Sequence, residues 1–252
     1  MAFSSRRLPM SHVLPASPPD GDHFRPSEYT AALLRQVRLR APWHGRVLEM
    51  GSGSGVVLAA LAVSGARQIV GVDIEPEAVR RTRALLEALP MVPSIVHCGD
   101  LWEPLAGELF DLVVFNPPQL PVRHDTGDVT GTAGAAGAIR LRSWSDGGAL
   151  GRDVLDRFIA GLPGHLAPDA LALITHSSFM SLEETLRQLE IRSLRAEVVE
   201  TVTVPMSDAK LRQLPPGWLE QQSRQSVYRI GPYVFCDFHV LEIRHAAATP
   251  IQ

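Results

Sequence analysis

Residues Val47-Leu48-Glu49-Met50-Gly51-Ser52-Gly53-Ser54-Gly55 put glycine at three alternate positions directly after a short apolar run that carries one acid. A second apolar stretch, 56 to 63, follows at once. Strand, glycine turn and helix in that order open a nucleotide-binding βαβ unit, where a bare backbone can approach a ligand closely. The details narrow the ligand. A dinucleotide site wants its third glycine where Val56 stands, and an acid at the strand end repels a pyrophosphate docked on the helix N-terminus. S-adenosyl-L-methionine carries no phosphate and ends in a cationic amino acid, so Glu49 suits it. The pattern therefore predicts a site for that cofactor on Glu49, Gly51, Gly53 and Gly55.

Two further acids stand at strand ends. Gln68-Ile69-Val70-Gly71-Val72-Asp73 reads as a strand closing on Asp73, about 20 residues beyond the glycine turn, where a ribose partner is expected. Asp73 should accept both ribose hydroxyls. Ser94-Ile95-Val96-His97-Cys98-Gly99-Asp100-Leu101 reads as a strand and turn. It places Asp100 to accept from an adenine amino group and Leu101 to donate its backbone N–H to the ring.

Phe110-Asp111-Leu112-Val113-Val114-Phe115 is the next buried-strand candidate, and it runs straight into Asn116-Pro117-Pro118-Gln119. Consecutive prolines fix φ and remove two donors, so the carbonyls of this turn point into a cleft at the carboxyl edge of the sheet. With the Asn116 amide oxygen they make a pair of acceptors for an NH2 group. Such a pair holds a weakly nucleophilic nitrogen with its lone pair aimed at a sulfonium methyl, which is catalysis by orientation rather than by a strong base. Asn116, Pro117, Pro118 and Gln119 are the expected catalytic residues. The Gln119 amide, which both donates and accepts, is expected to face an acceptor with polar groups around its nucleophile.

A length of 252 residues suits one large α/β domain, and neither composition nor charge divides it. A net charge of -3 leaves no electrostatic footprint for nucleic acid, and Arg80, Arg81 and Arg83 read as a solvated helix face. Cys98 and Cys236 lie in apolar strand-like runs and are expected to be reduced core residues of a cytoplasmic protein. The nine histidines have no ligand spacing, so no metal is expected. No apolar run has membrane-spanning length.

Residues 1 to 22, with Pro9, Pro15, Pro18 and Pro19, are expected to form a flexible lead to a single domain at 23–252. Pro26 and Ser27 open a helix with Ala32, Leu33, Leu34 and Val37 on one side. Strand 46–49, helix 55–64, strand 68–73, helix 76–89 and strands 94–98 and 110–115 then alternate, which predicts a parallel doubly wound sheet. A glycine-rich stretch at 120–147 is expected to be a substrate loop. Leu150, Val154, Leu155, Phe158, Ile159 and Leu162 mark an amphipathic helix. Strand 171–175, helix 182–189 and strand 197–204 follow, and a polar insertion at 205–225 precedes a last strand at 233–243. The final two strands should pair antiparallel at one sheet edge, with the insertion over the substrate end.

These motifs resemble class I S-adenosylmethionine-dependent methyltransferases of the HemK type, above all the short branch that methylates the glutamine of Gly-Gly-Gln in class 1 release factors. The likeness spans roughly residues 24 to 190. Phe24-Arg25-Pro26-Ser27-Glu28-Tyr29-Thr30 is similar to that branch's opening segment, 49–57 to its glycine loop, and Val72-Asp73-Ile74-Glu75-Pro76 to its ribose strand. Gly151-Arg152-Asp153-Val154-Leu155 is similar to its helix after the motif. The resemblance implies a Rossmann-like seven-stranded methyltransferase sheet, mostly parallel with an antiparallel edge strand, and adds Thr30, Ile74 and Asn116 to the cofactor site. It also implies N-methylation, with a protein glutamine as the first acceptor and an activating partner subunit as an option. A small-molecule acceptor of specialised metabolism is the alternative. A cofactor-binding scaffold without catalysis is disfavoured by the intact Asn116-Pro117-Pro118. The family motif normally ends in Tyr or Phe, whose ring stacks on the acceptor; Gln119 stands there instead.

Overall fold

A computed structural model of the chain describes residues 25–89, 92–122, 145–222 and 226–246. The expected lead at 1–22 and most of the expected loop at 120–147 lie outside the described residues. In chain order the elements are α1 (Glu28–Leu39), β1 (Arg46–Met50), α2 (Val56–Val63), β2 (Gln68–Asp73), α3 (Pro76–Glu87), β3 (Ser94–Cys98), β4 (Phe110–Phe115) and α4 (Asp153–Gly161). There follow β5 (Leu166–Ser177), α5 (Leu182–Ile191), β6 (Leu194–Pro205), α6 (Asp208–Leu211), α7 (Trp218–Gln221), β7 (Val227–Ile230) and β8 (Tyr233–His245).

One sheet runs β3-β2-β1-β4-β5-β8-β6, and β7 pairs with β8. The pairs among β1 to β5 are parallel. β8 runs antiparallel to β5 and β6, between which it lies. Strands covered on both faces read as continuous apolar runs rather than alternating ones, which is why β1 and β4 stood out in the sequence. The one exposed position in β4 is Asp111, whose Oδ2 accepts the Arg46 N–H at 2.7 Å. One face packs against α1, α2 and α3 through Leu33, Val37, Leu58, Leu61 and Val79. The other packs against α4 and α5 through Leu155, Phe158, Ile159 and Leu189. Phe158 is fully buried, and truncation to alanine should cost about 3–5 kcal/mol.

Four expectations need correction. Leu150 is 74% exposed, because α4 begins only at Asp153 and residue 150 belongs to the turn before it. Cys98 is exposed rather than core, because β3 is an edge strand covered on one side only. β5 begins at Leu166, since Pro168 and Asp169 interrupt the apolar pattern without ending the strand. β7 is an eighth strand beyond the seven expected; it forms a hairpin with β8, Ile230 facing Tyr233.

Candidate active site

The chain lays β1, β2 and β3 outward in one direction and then returns to place β4 on the other side of β1. A crevice opens at the carboxyl ends of the strands where the order reverses. The register aligns Met50 with Phe115, so the glycine turn at Gly51 and the Asn-Pro-Pro turn at Asn116 leave the sheet side by side. Two adjoining clefts meet there and share Gly51, Gly53, Asn116 and Pro118.

The glycine turn is held by hydrogen bonds from the Gly51 and Ser52 N–H groups to the Val72 carbonyl, at 2.7 and 3.1 Å. Gly51, Gly53 and Gly55 all have positive φ, at 67°, 48° and 74°. A Cβ at Gly55 would sit 3.0 Å from the Thr82 Cα, so helix packing as well as conformation demands glycine there. Glu49 is buried, and its Oε2 accepts the N–H of Leu58 in the first turn of α2 at 3.2 Å. Its carboxylate thus takes the helix N-terminus that a dinucleotide pyrophosphate would need. Burial raises its pKa well above the ordinary carboxylate range against the pull of the Leu58 N–H, and the nearby Asp73 charge raises it further.

The first cleft is lined by Val72, Asp73, Ile74, Gly99, Asp100, Leu101 and Phe115. Both Asp73 oxygens already accept backbone N–H groups, Oδ2 from Gly53 and Oδ1 from Glu75, each at 2.9 Å. Each oxygen keeps a second lone pair for a ligand hydroxyl. Burial outweighs these bonds and raises the Asp73 pKa. Asp100 Oδ2 is engaged by Arg157 at 2.6 Å, a partner 57 residues away that no local pattern points to. Leu101 has φ 49°, a strained conformation for a side-chain-bearing residue and a common one at ligand sites. Ile74 is 62% exposed along this wall.

The second cleft adds Thr30, Tyr29, Pro117, Gln119, Ser177, Phe179, Met206 and Lys210 to the shared residues. Thr30 is fixed by a capping box with Ser27 at the start of α1. Asn116 is exposed to the cleft, and its Oδ1 accepts from the Thr175 hydroxyl at 2.6 Å. Here the expectation for Gln119 is corrected. Its side chain is buried and turned into β5, with Nε2 donating to Thr175 Oγ1 at 3.0 Å and Oε1 accepting the Ser177 N–H at 2.6 Å. Both polar ends are engaged within the protein. A strand running beside the motif offers these partners, and the local sequence could not reveal them.

Tyr29 and Phe179 are the aromatic rings of the second cleft. Tyr29 stacks on Phe238 with centroids 4.1 Å apart, and Lys210 Nζ lies 5.0 Å from its ring centroid. Phe179 meets Trp218 only edge-on, at 5.3 Å and 85°. Thr175, Ser177, Phe179 and Lys210 were missed in the sequence because each sits more than 50 residues from Asn116 and belongs to no local motif. Among the described residues no cluster could hold a metal ion, and no helix is long and apolar enough to cross a membrane.

The fold is the Rossmann-like one of methyltransferases, and relatives in sequence place the chain in that class. The methyltransferase small domain model matches residues 27–142. A putative protein N5-glutamine methyltransferase of Methanocaldococcus jannaschii is 35% identical over 189 residues, which cover 73% of this chain and 87% of that one. A release factor glutamine methyltransferase of Geobacter sulfurreducens is 30% identical over 150 residues, or 59% of this chain and 51% of that one. In structure, a putative methyltransferase from Bacillus halodurans aligns over 86% of this chain and all of its own, with a TM-score of 0.57 at 12% identity. The chain belongs to the HemK family of protein glutamine methyltransferases.

Proposed function

We propose that this enzyme takes a methyl group from S-adenosyl-L-methionine and transfers it to the side-chain amide nitrogen of a protein glutamine. The residues fit the cofactor on two counts. Glu49 is a buried acid at the cleft with no Lys or Arg paired to it among the described residues, so it suits an ammonium group. Asp73, Ile74, Asp100 and Leu101 line the apolar-walled neighbour cleft that suits a nucleoside. When bound, the cofactor supplies an electrophilic methyl group. Glu49 holds its amino acid end, Thr30 and the Gly51 to Gly55 turn flank it, and Asp73 accepts from the ribose.

The alignment of Met50 with Phe115 carries the reading, because it sets the cofactor turn and the Asn-Pro-Pro turn against one shared opening. There Asn116 Oδ1 and the turn carbonyls accept from the acceptor NH2 and orient it, while Pro117 and Pro118 hold the turn rigid. Glutamine is favoured over a small-molecule acceptor because these relatives are named for glutamine. Tritium transfer from labelled cofactor to a purified class 1 release factor tests this. Label is expected on the release factor and absent when its Gly-Gly-Gln glutamine is replaced by alanine. Label that persists after that replacement overturns the acceptor.

A further inference from the structure

We propose that Gln119 and Thr175 form a one-way hydrogen-bond relay that fixes the amide of Asn116 with its oxygen presented for transfer. This rests on the reading of Asn116 as the group that orients the acceptor. The terminal torsion of an asparagine is broad and nearly two-fold, so an exposed Asn116 left alone could offer the cleft either its oxygen or its NH2. The relay removes that choice.

Its direction is set by a group that cannot reverse. The Ser177 backbone N–H only donates, so the Gln119 atom 2.6 Å from it is the carbonyl oxygen. The Gln119 NH2 must then face Thr175, 3.0 Å away, and it too only donates. Thr175 Oγ1 accepts that bond and gives its single proton to Asn116 Oδ1 at 2.6 Å, since an amide turned the other way would leave that buried proton without a partner. Oδ1 is thereby held on the β5 side of the cleft with one lone pair still open to an acceptor N–H. Gln119, Thr175 and Ser177 are 6%, 0% and 2% exposed, so the relay is largely shielded from water. The fourth residue of the motif is thus a positioning residue behind Asn116 rather than a contact to the acceptor. Phenylalanine there would leave the Ser177 N–H and the Thr175 hydroxyl without these partners.

The test compares Thr175→Val, Thr175→Ser, Gln119→Met and Gln119→Glu on a purified class 1 release factor. Cofactor affinity by calorimetry and thermal unfolding are recorded for each, with Asn116→Ala as reference. Thr175→Val keeps the shape and loses the proton. Its kcat is expected to fall roughly 10- to 100-fold, the range for misoriented reacting groups, with cofactor affinity unchanged. Thr175→Ser restores most of the rate. Gln119→Glu matches the loss, because a carboxylate draws the Thr175 proton to itself and lets Asn116 turn its NH2 inward. Since relay members act as one unit, Thr175→Val with Gln119→Met loses no more than the worse single variant. Should Thr175→Val unfold, the Gln119→Glu and Gln119→Met pair decides. Variants that turn over at the full rate beside an inactive Asn116→Ala, or losses that simply add, overturn the relay alone. A full-rate Asn116→Ala overturns the reading of the turn and the relay with it.

Discussion

Asp73 accepts the backbone N–H of Gly53 at 2.9 Å, and so ties the end of β2 to the glycine turn 20 residues earlier. Its other oxygen accepts the N–H of Glu75 at 2.9 Å. The side chain therefore shapes the cleft proposed for the cofactor before any ligand arrives. Asp73→Ala is expected to weaken cofactor binding and also to lower the melting temperature of the ligand-free protein. Each N–H orphaned out of reach of water costs roughly 1–3 kcal/mol. Thermal unfolding without cofactor checks this, and an unchanged midpoint would mean that the tie adds nothing to the fold.

In the proposed cofactor site, Glu49 should make binding dependent on pH. Burial holds its pKa well above the ordinary carboxylate range in the free protein, so protons occupy it at pH values where an exposed acid is bare. A cationic ligand favours the charged form and brings the pKa down. Cofactor binding should then release a proton, and affinity should fall as pH drops through the raised pKa. Calorimetry in buffers of different ionisation enthalpy measures the release, which Glu49→Gln should abolish. The same variant should raise the melting temperature of the ligand-free protein at neutral pH. The native state binds more protons at Glu49 than the unfolded chain does, so its ionisation destabilises the fold as pH rises. A variant that binds cofactor normally, with the proton release intact, would remove Glu49 from the site.

The half proposed for the cofactor was legible because its residues are local. Glu49 and Gly51 to Gly55 sit within one strand-turn-helix, and Asp73, Asp100 and Asn116 each end or follow an apolar strand. Strand-end position is a property of the sequence pattern itself. The half proposed for the acceptor depends on β5 lying beside β4, which pairs Phe115 with Ile174 and brings Thr175 next to Asn116. No spacing rule links residues 116 and 175. For the same reason the Gln119 side chain was expected to face the acceptor, when a buried strand with free partners already claims it. β7 was hidden by its length: the four residues Val227 to Ile230 give too short a pattern to separate from the polar insertion before them.

Phe179 is the ring that remains available to a planar acceptor. One face of Tyr29 is taken by Phe238 and Lys210 approaches its ring, whereas Phe179 is met edge-on by Trp218. With no aromatic residue at 119, stacking on an acceptor amide is expected of this side chain. Phe179→Leu should raise the KM for a protein acceptor by a factor matching about 0.5–1.5 kcal/mol, with cofactor affinity unchanged. Steady-state kinetics with the release factor as the varied substrate read this directly. A fall in kcat at constant KM would point instead to disturbed packing around β5.

His176 lies on the opposite face of β5 from the site and should govern acid stability. It is fully buried, its ring Nε2 is 2.9 Å from Thr185 Oγ1, and its Nδ1 has no hydrogen-bond partner among the described residues. Burial lowers its pKa from 6.5 to about 3, helped by the Arg152 and His239 charges. Above the ordinary imidazole value both states are neutral there, and the residue adds no pH dependence. Between that value and about 3 the unfolded chain takes up a proton that the native state refuses, so stability falls as pH falls. One such proton gives a slope of up to about 1.4 kcal/mol per pH unit. Glu49 and Asp73, with raised values, act in the opposite sense, so the residue is isolated by subtraction. Urea unfolding of the parent and of His176→Gln, at neutral pH and again near pH 5, should give a stability difference that shifts in favour of the variant on acidification. A difference that stays constant with pH would mean that the native protein protonates His176 as readily as the unfolded chain does.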